Sequence, residues 1–336
     1  MGAKPRLTTP FEGVNLGGWL LVERWMTPSL FKGTNAQDEY SLMKMPDGAA
    51  RIAQHRNAFI TEEDWQWLAD NHVTHVRLPV GYWVLRDDAP YTNAKKQLDW
   101  AFRMAEKHNI NILLDLHALK GSQNGTIHSG RVGSVHWKEY GHESLGTIKE
   151  LALRYGDSKS FWGIEIINEP KVLGNYIALK RFYRDAYAML HTILRPGVYT
   201  VFQDGFLPIL FSGTLRADAD HPVIMDTHFY LILPKVLSRL SPSSYDRVRG
   251  VLYEWILKHT TRKQPVIVGE WSSVLPQAMF NREPATGHLD MVGATIERQR
   301  HSYQHAFGTF YWNYKTEGTG MYNYRSLIDS IVIRRD

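Results

Sequence analysis

The 336-residue chain has no cysteine, which removes disulfides, thiolate catalysis and cysteine metal sites from consideration. It has no uninterrupted apolar run of about 18 residues, so no membrane span is expected. Met1 to Pro10 lacks the apolar core of a signal peptide, which predicts a cytoplasmic protein, or a secreted or periplasmic one if a leader has been removed. HxH, HExxH and GxSxG are all absent, which argues against the commonest zinc-hydrolase and serine-hydrolase sites. No Gly/Ser/Pro-rich linker, low-complexity tract or repeat divides the chain. One domain over residues 1–336 is expected, with 1–11 as an N-terminal extension.

The composition is otherwise that of a globular protein, 43% hydrophobic and 22% charged. The net charge of +5 and pI near 9.1 fit a mildly basic surface. The densest basic stretch, Arg247 to Lys263, is broken by Val251, Leu252, Trp255 and Ile256. It reads as an amphipathic helix with a solvated basic face, not a nucleic-acid surface. Aromatic residues are plentiful, with 11 Trp and 17 Tyr. They suit either a ring-rich core or the stacking of sugar C–H faces.

Eight short apolar segments recur, each ending in polar residues: Gly13–Leu16, Val73–Pro79, Ile110–His117, Trp162–Pro170, Val198–Asp204, Val223–Tyr230, Val266–Trp271 and Phe307–Trp312. Their near-continuous apolarity predicts parallel strands buried on both faces. Helical spacing (i, i+3, i+4, i+7) separates them at Trp65-Leu68-Ala69-His72, Leu98-Ala101-Phe102-Ala105, Ile148-Leu151-Ala152-Tyr155, Leu179-Phe182-Tyr183-Ala186 and Val248-Val251-Leu252-Trp255. Thr61 before three acids predicts a helix N-cap. The pattern predicts an α/β fold, a single-domain (β/α)8 barrel. It is weakest over Gly205–Asp220, where no helix is evident, and over Met291–His305, where the spacing is poor.

Catalytic groups of such barrels lie at the C-terminal ends of the strands. Strand four ends Ile166-Ile167-Asn168-Glu169-Pro170, and strand seven ends Val268-Gly269-Glu270-Trp271. A carboxylate directly after buried apolar residues is costly unless paired or used. Two of them can face each other across the barrel mouth, as glycoside hydrolysis requires. Arg77 on strand two cannot shed its charge and calls for a carboxylate partner, for which Glu270 is the candidate. His117, His228, Tyr230 and Trp312 end strands three, six, six and eight, where they can bind hydroxyls, orient acids or stack on a ring. A metal held by His117, His228, Glu169 and Asp226 is the competing reading, but it leaves Arg77 and Trp312 without a role.

The ordered set Arg77, His117, Asn168, Glu169, His228, Tyr230, Glu270 and Trp312 resembles glycoside hydrolase family five. Within it, Gly13-Val14-Asn15-Leu16-Gly17-Gly18-Trp19, Met26-Thr27-Pro28-Ser29-Leu30-Phe31, Gly81-Tyr82-Trp83, Gly121-Ser122-Gln123-Asn124-Gly125 and Lys315-Thr316-Glu317 are similar to the exo-β-1,3-glucanase branch. The resemblance implies release of glucose from non-reducing β-glucan ends with retention. It implies Glu270 as nucleophile and Glu169 as acid/base, with Asn168 on the 2-hydroxyl, Glu23 and His117 on other hydroxyls, and Trp312 under the sugar. No cofactor, metal or obligate protein partner is expected. Two positions depart from the branch: Thr126 and Leu233 stand where it usually has phenylalanines at the acceptor side. Trp137, Tyr140 and Phe229 are candidate replacements. The alternatives are an endo-β-1,4-glucanase, a glucosidase acting on small or lipid-linked glucosides, and a catalytically silent sugar-binding protein.

Overall fold

The computed structural model describes residues 10–230, 239–281 and 287–330. Eight strands, β1 (Phe11–Asn15), β2 (His75–Gly81), β3 (Asn111–Ala118), β4 (Phe161–Glu165), β5 (Tyr199–Gln203), β6 (Val223–His228), β7 (Val266–Trp271) and β8 (Gly308–Tyr311), close into a barrel in sequence order. Every pairing is parallel, including β1 with β8. The expected (β/α)8 barrel is what forms. No helix among the described residues is long and apolar enough to cross a membrane.

The strand alternation sorts side chains into two compartments. On β3, Ile112, Leu114 and Leu116 point out to the helices and join the main core, while Leu113 belongs to a separate cluster inside the barrel. The same parity carries Asp115 and His117 inward above Leu113, and Asp226 and His228 inward above Ile224 on β6.

The helices are α1 (Glu39–Met43), α2 (Gly48–Ala58), α3 (Glu62–Asp70), α4 (Lys95–His108), α5 (Gly141–Tyr155), α6 (Tyr176–His191), α7 (Pro208–Phe211), α8 (Pro242–Thr260), α9 (Gln277–Phe280), α10 (His288–Ser302) and α11 (Tyr324–Asp329). The predicted inward faces of α4, α5 and α6 are buried. Thr61 caps α3 jointly with Asp64, whose carboxylate accepts the Thr61 N–H at 2.8 Å. His72 lies beyond the end of that helix, in the left-handed region at φ 57°.

Two departures are instructive. On α8 the predicted inward stripe faces solvent: Val248, Val251, Leu252 and Trp255 are 46, 64, 39 and 49% exposed. The buried face is Tyr245, Arg249, Tyr253 and Leu257, four residues apart. Both stripes satisfy helical spacing, and the choice falls to tertiary partners. Phe229 stacks on Tyr253 at 4.1 Å, and buried Asp246 accepts from Arg249, Thr295 and Arg298. The basic face is therefore not opposite an apolar seam; basic and apolar groups share the exposed side. After β5, the barrel helix shrinks to the single turn α7, in keeping with the weak pattern there. The poorly patterned stretch before β8 does form a helix, α10. Its buried polar side chains are satisfied, as where Gln299 donates to the Ser272 carbonyl at 3.2 Å.

Candidate active site

The upper barrel interior is built around Arg77. Its guanidinium donates to Glu165 Oε2 at 2.7 Å, Glu270 Oε1 at 2.9 Å, Asn168 Oδ1 at 2.9 Å and Asn15 Oδ1 at 3.0 Å, and it meets Asp115 Oδ2 at 3.0 Å. The fork geometry of arginine matches this ring of acceptors, and an ammonium would not. The expected Arg77–Glu270 pair is present but is one contact of several. Glu165, one residue past the apolar start of strand four, carried no signal of its own in the chain; only barrel closure brings it to Arg77.

Glu270 also accepts from the Tyr230 hydroxyl at 3.2 Å. Glu169 pairs through Oε1 with His228 Nδ1 at 2.7 Å and through Oε2 with His128 Nε2 at 3.2 Å. His228 Nε2 faces Asp226 at 3.3 Å. Glu169, His228 and Glu270 each present a polar atom within 4.8 Å of the others. Two pieces of local backbone aim the acids. Glu169 has φ 40°, a costly conformation for a non-glycine residue, and Asn124 and Gln123 hold it by donating to the carbonyls of Glu169 and Asn168, each at 2.9 Å. On β7 the register shifts between Val268 and Trp271. Gly269 fits there because any Cβ would lie 1.9 Å from Asp226 Oδ2. The shift turns Glu270 inward and sends Trp271 to the helical side, beside Tyr303.

Residues 48–318 match Cellulase (glycosyl hydrolase family 5). The chain belongs to this family. It is 31% identical to a probable glucan 1,3-beta-glucosidase A of Aspergillus niger, covering 94% of this chain and 85% of that protein. It is 30% identical to a glucan 1,3-beta-glucosidase of Blumeria graminis, over 94% and 84%. Among solved structures, a rutinosidase from Aspergillus niger superposes with TM-score 0.78 at 21% identity, covering 98% and 99% of the two chains. Endo-glycoceramidase II from Rhodococcus sp. superposes with TM-score 0.60 at 14% identity, over 94% and 75%. At those identities the two structures share the fold alone.

In this family 5 chain the other expected residues also gather at the mouth. His117 Nδ1 pairs with Asp115 at 2.6 Å, and Asn168 Nδ2 lies 3.3 Å from His117 Nε2. Trp312 lies parallel to the His117 ring, with centroids 5.7 Å apart, and is backed by Gly17, where a Cβ would sit 2.7 Å from the indole. Glu23 is buried and accepts the Trp25 indole N–H at 2.8 Å. His128 was missed, because it sits in a loop after β3 and not at a strand end.

At the acceptor side Thr126 is exposed and its N–H and hydroxyl both donate to Asn124 Oδ1; Leu233 lies outside the described residues. Trp137 and Phe229 cannot replace the rings, since both are buried, Trp137 against Phe182 and Phe229 against Tyr253. Tyr140 lines a separate cavity of about 610 Å³ with Tyr40, Tyr82, Lys120 and Arg131. Neither Glu169 nor Glu270 lines it, so the acids and not that cavity locate the chemistry. Among the described residues, Phe206 is half exposed and its ring lies 6.3 Å from that of His228. It lies in the stretch without a helical pattern.

The electrostatics divide the two acids. Burial pushes the Glu270 carboxyl up, against the pull of His228 and Arg77, and nearby Glu169 pushes it up further. Burial acts the same way on Glu169, but the His228 hydrogen bond and the charges of His128, His228 and His117 outweigh it and hold Glu169 at about 2. Burial would lower His228, yet Glu270, Asp226 and Glu169 raise it well above its usual value. The 2.7 Å contact thus pulls Glu169 down and pushes His228 up, so the two share their proton as a pair. Burial lifts Glu23 to about 7.

Proposed function

We propose that the chain is a retaining β-glycoside hydrolase that releases glucose from the non-reducing ends of β-1,3-glucan, with Glu270 as nucleophile and Glu169 as acid/base. The observation that carries this reading is the approach of the two carboxyl groups to within 4.8 Å. Retaining enzymes hold their acids about 5–5.5 Å apart, and inverting enzymes leave about 6.5–9.5 Å for a water. The names of the curated relatives support the linkage and the exo action.

Glu270, held by Arg77 and Tyr230, attacks the anomeric carbon. The proton on His228 passes along the 2.7 Å contact to Glu169 and on to the leaving oxygen. Water then gives its proton to Glu169 and its oxygen to the anomeric carbon, freeing Glu270. Asn168, His117 and Glu23 meet the sugar hydroxyls, and Trp312 lies under the ring.

A second reading, a β-glucoside with an apolar leaving group, is favoured by the run Phe206, Leu207, Ile209 and Leu210 after β5, all 44–50% exposed, of which Phe206 lies 6.3 Å from the His228 ring. One experiment tests both: time-resolved NMR of laminaritriose, cellotriose and octyl β-glucoside. β-Glucose as the first product from laminaritriose supports the first reading, and a strong preference for the octyl glucoside supports the second. α-Glucose as the first product overturns the retaining mechanism.

A further inference from the structure

We propose that His191, Asp218 and His221 form a binding site for a divalent transition-metal ion, zinc in the first instance, that clamps the connection between β5 and β6. The three residues lie away from the candidate active site. His191 is the last residue of α6, and Asp218 and His221 precede β6. The loop ends of these elements are at the opposite mouth of the barrel from Glu169, on the order of 20 Å away along the six residues of β6.

One imidazole nitrogen from each histidine and a carboxylate oxygen fall within 4.8 Å of one another. The decisive detail is His221. Its Nε2 lies 3.3 Å from the Leu194 carbonyl, an acceptor only, which assigns the proton of a neutral ring to Nε2; Asp218 Oδ1 is itself held in place by the backbone N–H groups of Asp220 and His221 at 3.0 and 2.7 Å. The lone pair on Nδ1 is then turned towards Asp218 Oδ1, 3.4 Å away, and this buried nitrogen has no hydrogen-bond partner. Two acceptors facing each other repel unless a cation lies between them. A metal-ligating imidazole commonly donates its second N–H to a backbone carbonyl, as His221 does. The 3.4 Å separation is also close to the edge of a tetrahedron with zinc–ligand bonds of about 2.0–2.1 Å, roughly 3.3 Å.

His191 completes the set. Its Nε2 touches Asp218 Oδ2 at 2.5 Å, and its ring lies 4.0 Å from that of His221. When the ion enters at His191 Nε2, the ring keeps a single proton on Nδ1, any second proton leaves to solvent, and Nε2 and the Asp218 carboxylate become ligands. The side chains of His191 and Asp218 are 42 and 49% exposed, which leaves an entry path and room for a water as fourth ligand.

The clamp has a structural use. After β5 the barrel helix is reduced to the turn α7; Ser212 and Gly213 at the start of the following loop bond to Thr260 and Gln264, and Leu215 packs into the core. The stretch that carries Asp218 and His221 is held by the Gly197 N–H to the Asp220 carbonyl at 2.7 Å and the Tyr187 hydroxyl to the His221 carbonyl at 2.9 Å. An ion would join α6 to the same loop.

The test uses the full chain without a polyhistidine tag, stripped with EDTA and titrated with zinc chloride at pH 7.5. Calorimetry should show one reversible site. The unfolding midpoint should rise by about 4 °C at a free zinc concentration a hundredfold above Kd. His191→Gln, which changes an exposed side chain, and His221→Gln should each weaken binding at least tenfold and abolish the shift. Hydrolysis of an aryl β-glucoside at 25 °C should be unchanged by zinc or its removal. Absence of saturable binding to the wild type overturns the proposal, as does undiminished binding to the double variant. Zinc inhibition in parallel with binding also overturns it, since the ion would then sit at Glu169, His228 and Glu270.

Discussion

The barrel interior holds two layers of opposite chemistry on the same eight strands. The lower layer is apolar: Phe11 stacks on His75 at 3.8 Å, Trp162 packs on Tyr199 and Phe307, and Leu113, Val201, Ile224, Ile267 and Phe310 fill the rest. Burial lowers His75 to about 4, so it joins this layer as a neutral ring. Two or three residues further along the strands, Arg77, Asp115, Glu165, Asp226 and Glu270 form a charged layer. The lower layer stabilises by removing apolar surface from water. The upper layer is costly to desolvate, and its worth lies in holding charge where a reaction needs it. Activity and stability should therefore separate along the barrel axis.

The largest expected effect is at the top. If Glu270 is the nucleophile as proposed, Glu270→Ala should reduce kcat on an aryl β-glucoside by at least about 10⁴-fold, with little change in the unfolding midpoint. Azide should restore part of the rate and yield the α-glucosyl azide. A variant retaining a tenth of the wild-type rate would break the assignment.

Next is the acid/base pair. In the proposed mechanism the active form needs Glu270 ionised and one proton on Glu169–His228. Glu270 is raised, so activity falls as pH drops through its value. His228 is raised well above its usual value, so the basic limb lies at higher pH than an ordinary histidine would give. His228→Gln should move that limb towards acid, into the range of a carboxyl group, and lower kcat/KM about a hundredfold on substrates with poor leaving groups. An unmoved basic limb in a kcat/KM–pH profile would show that the proton does not reside on His228.

Third is the lower layer. Phe307→Ala should cost about 3–5 kcal/mol, or about 4–7 °C in the unfolding midpoint. Differential scanning calorimetry measures this, and kcat at 25 °C should stay within a factor of two or so. A large loss of activity in the folded variant would mean the layers are coupled.

The smallest effect probes the rim. Thr126→Phe adds a ring at the acceptor side and should lower KM for laminari-oligosaccharides by up to about tenfold, if a stacking contact is worth roughly 0.5–1.5 kcal/mol. Hydrolysis of a simple aryl glucoside should be nearly unchanged. Equal effects on both substrates would place Thr126 in the sugar site itself.

The chain alone determined the eight strands, their order and the polar residues at or just past their ends, although β4 stops at Glu165 and leaves Asn168 and Glu169 in the segment beyond it, not in the strand as expected. Strand apolarity and strand-end polarity are local, and Asn168-Glu169-Pro170 and Gly269-Glu270-Trp271 can be read without knowing what they face. Tertiary structure decided everything that depends on partners distant in sequence. Glu165 looked like any acid in a strand until closure set it 2.7 Å from Arg77, 88 residues away. His128 has no strand to mark it, and only the loop after β3 folding over the mouth brings it to Glu169. The two stripes of α8 are equal by periodicity, and contact with Phe229 and α10 chose the one that is buried. The same holds for Glu270: strict alternation along β7 would align it with outward-facing Val266 and Val268, and the register shift at Gly269, forced by the nearness of Asp226, turns it into the site. Periodicity reports which residues share a face; only packing against the rest of the barrel selects the face and places the charges.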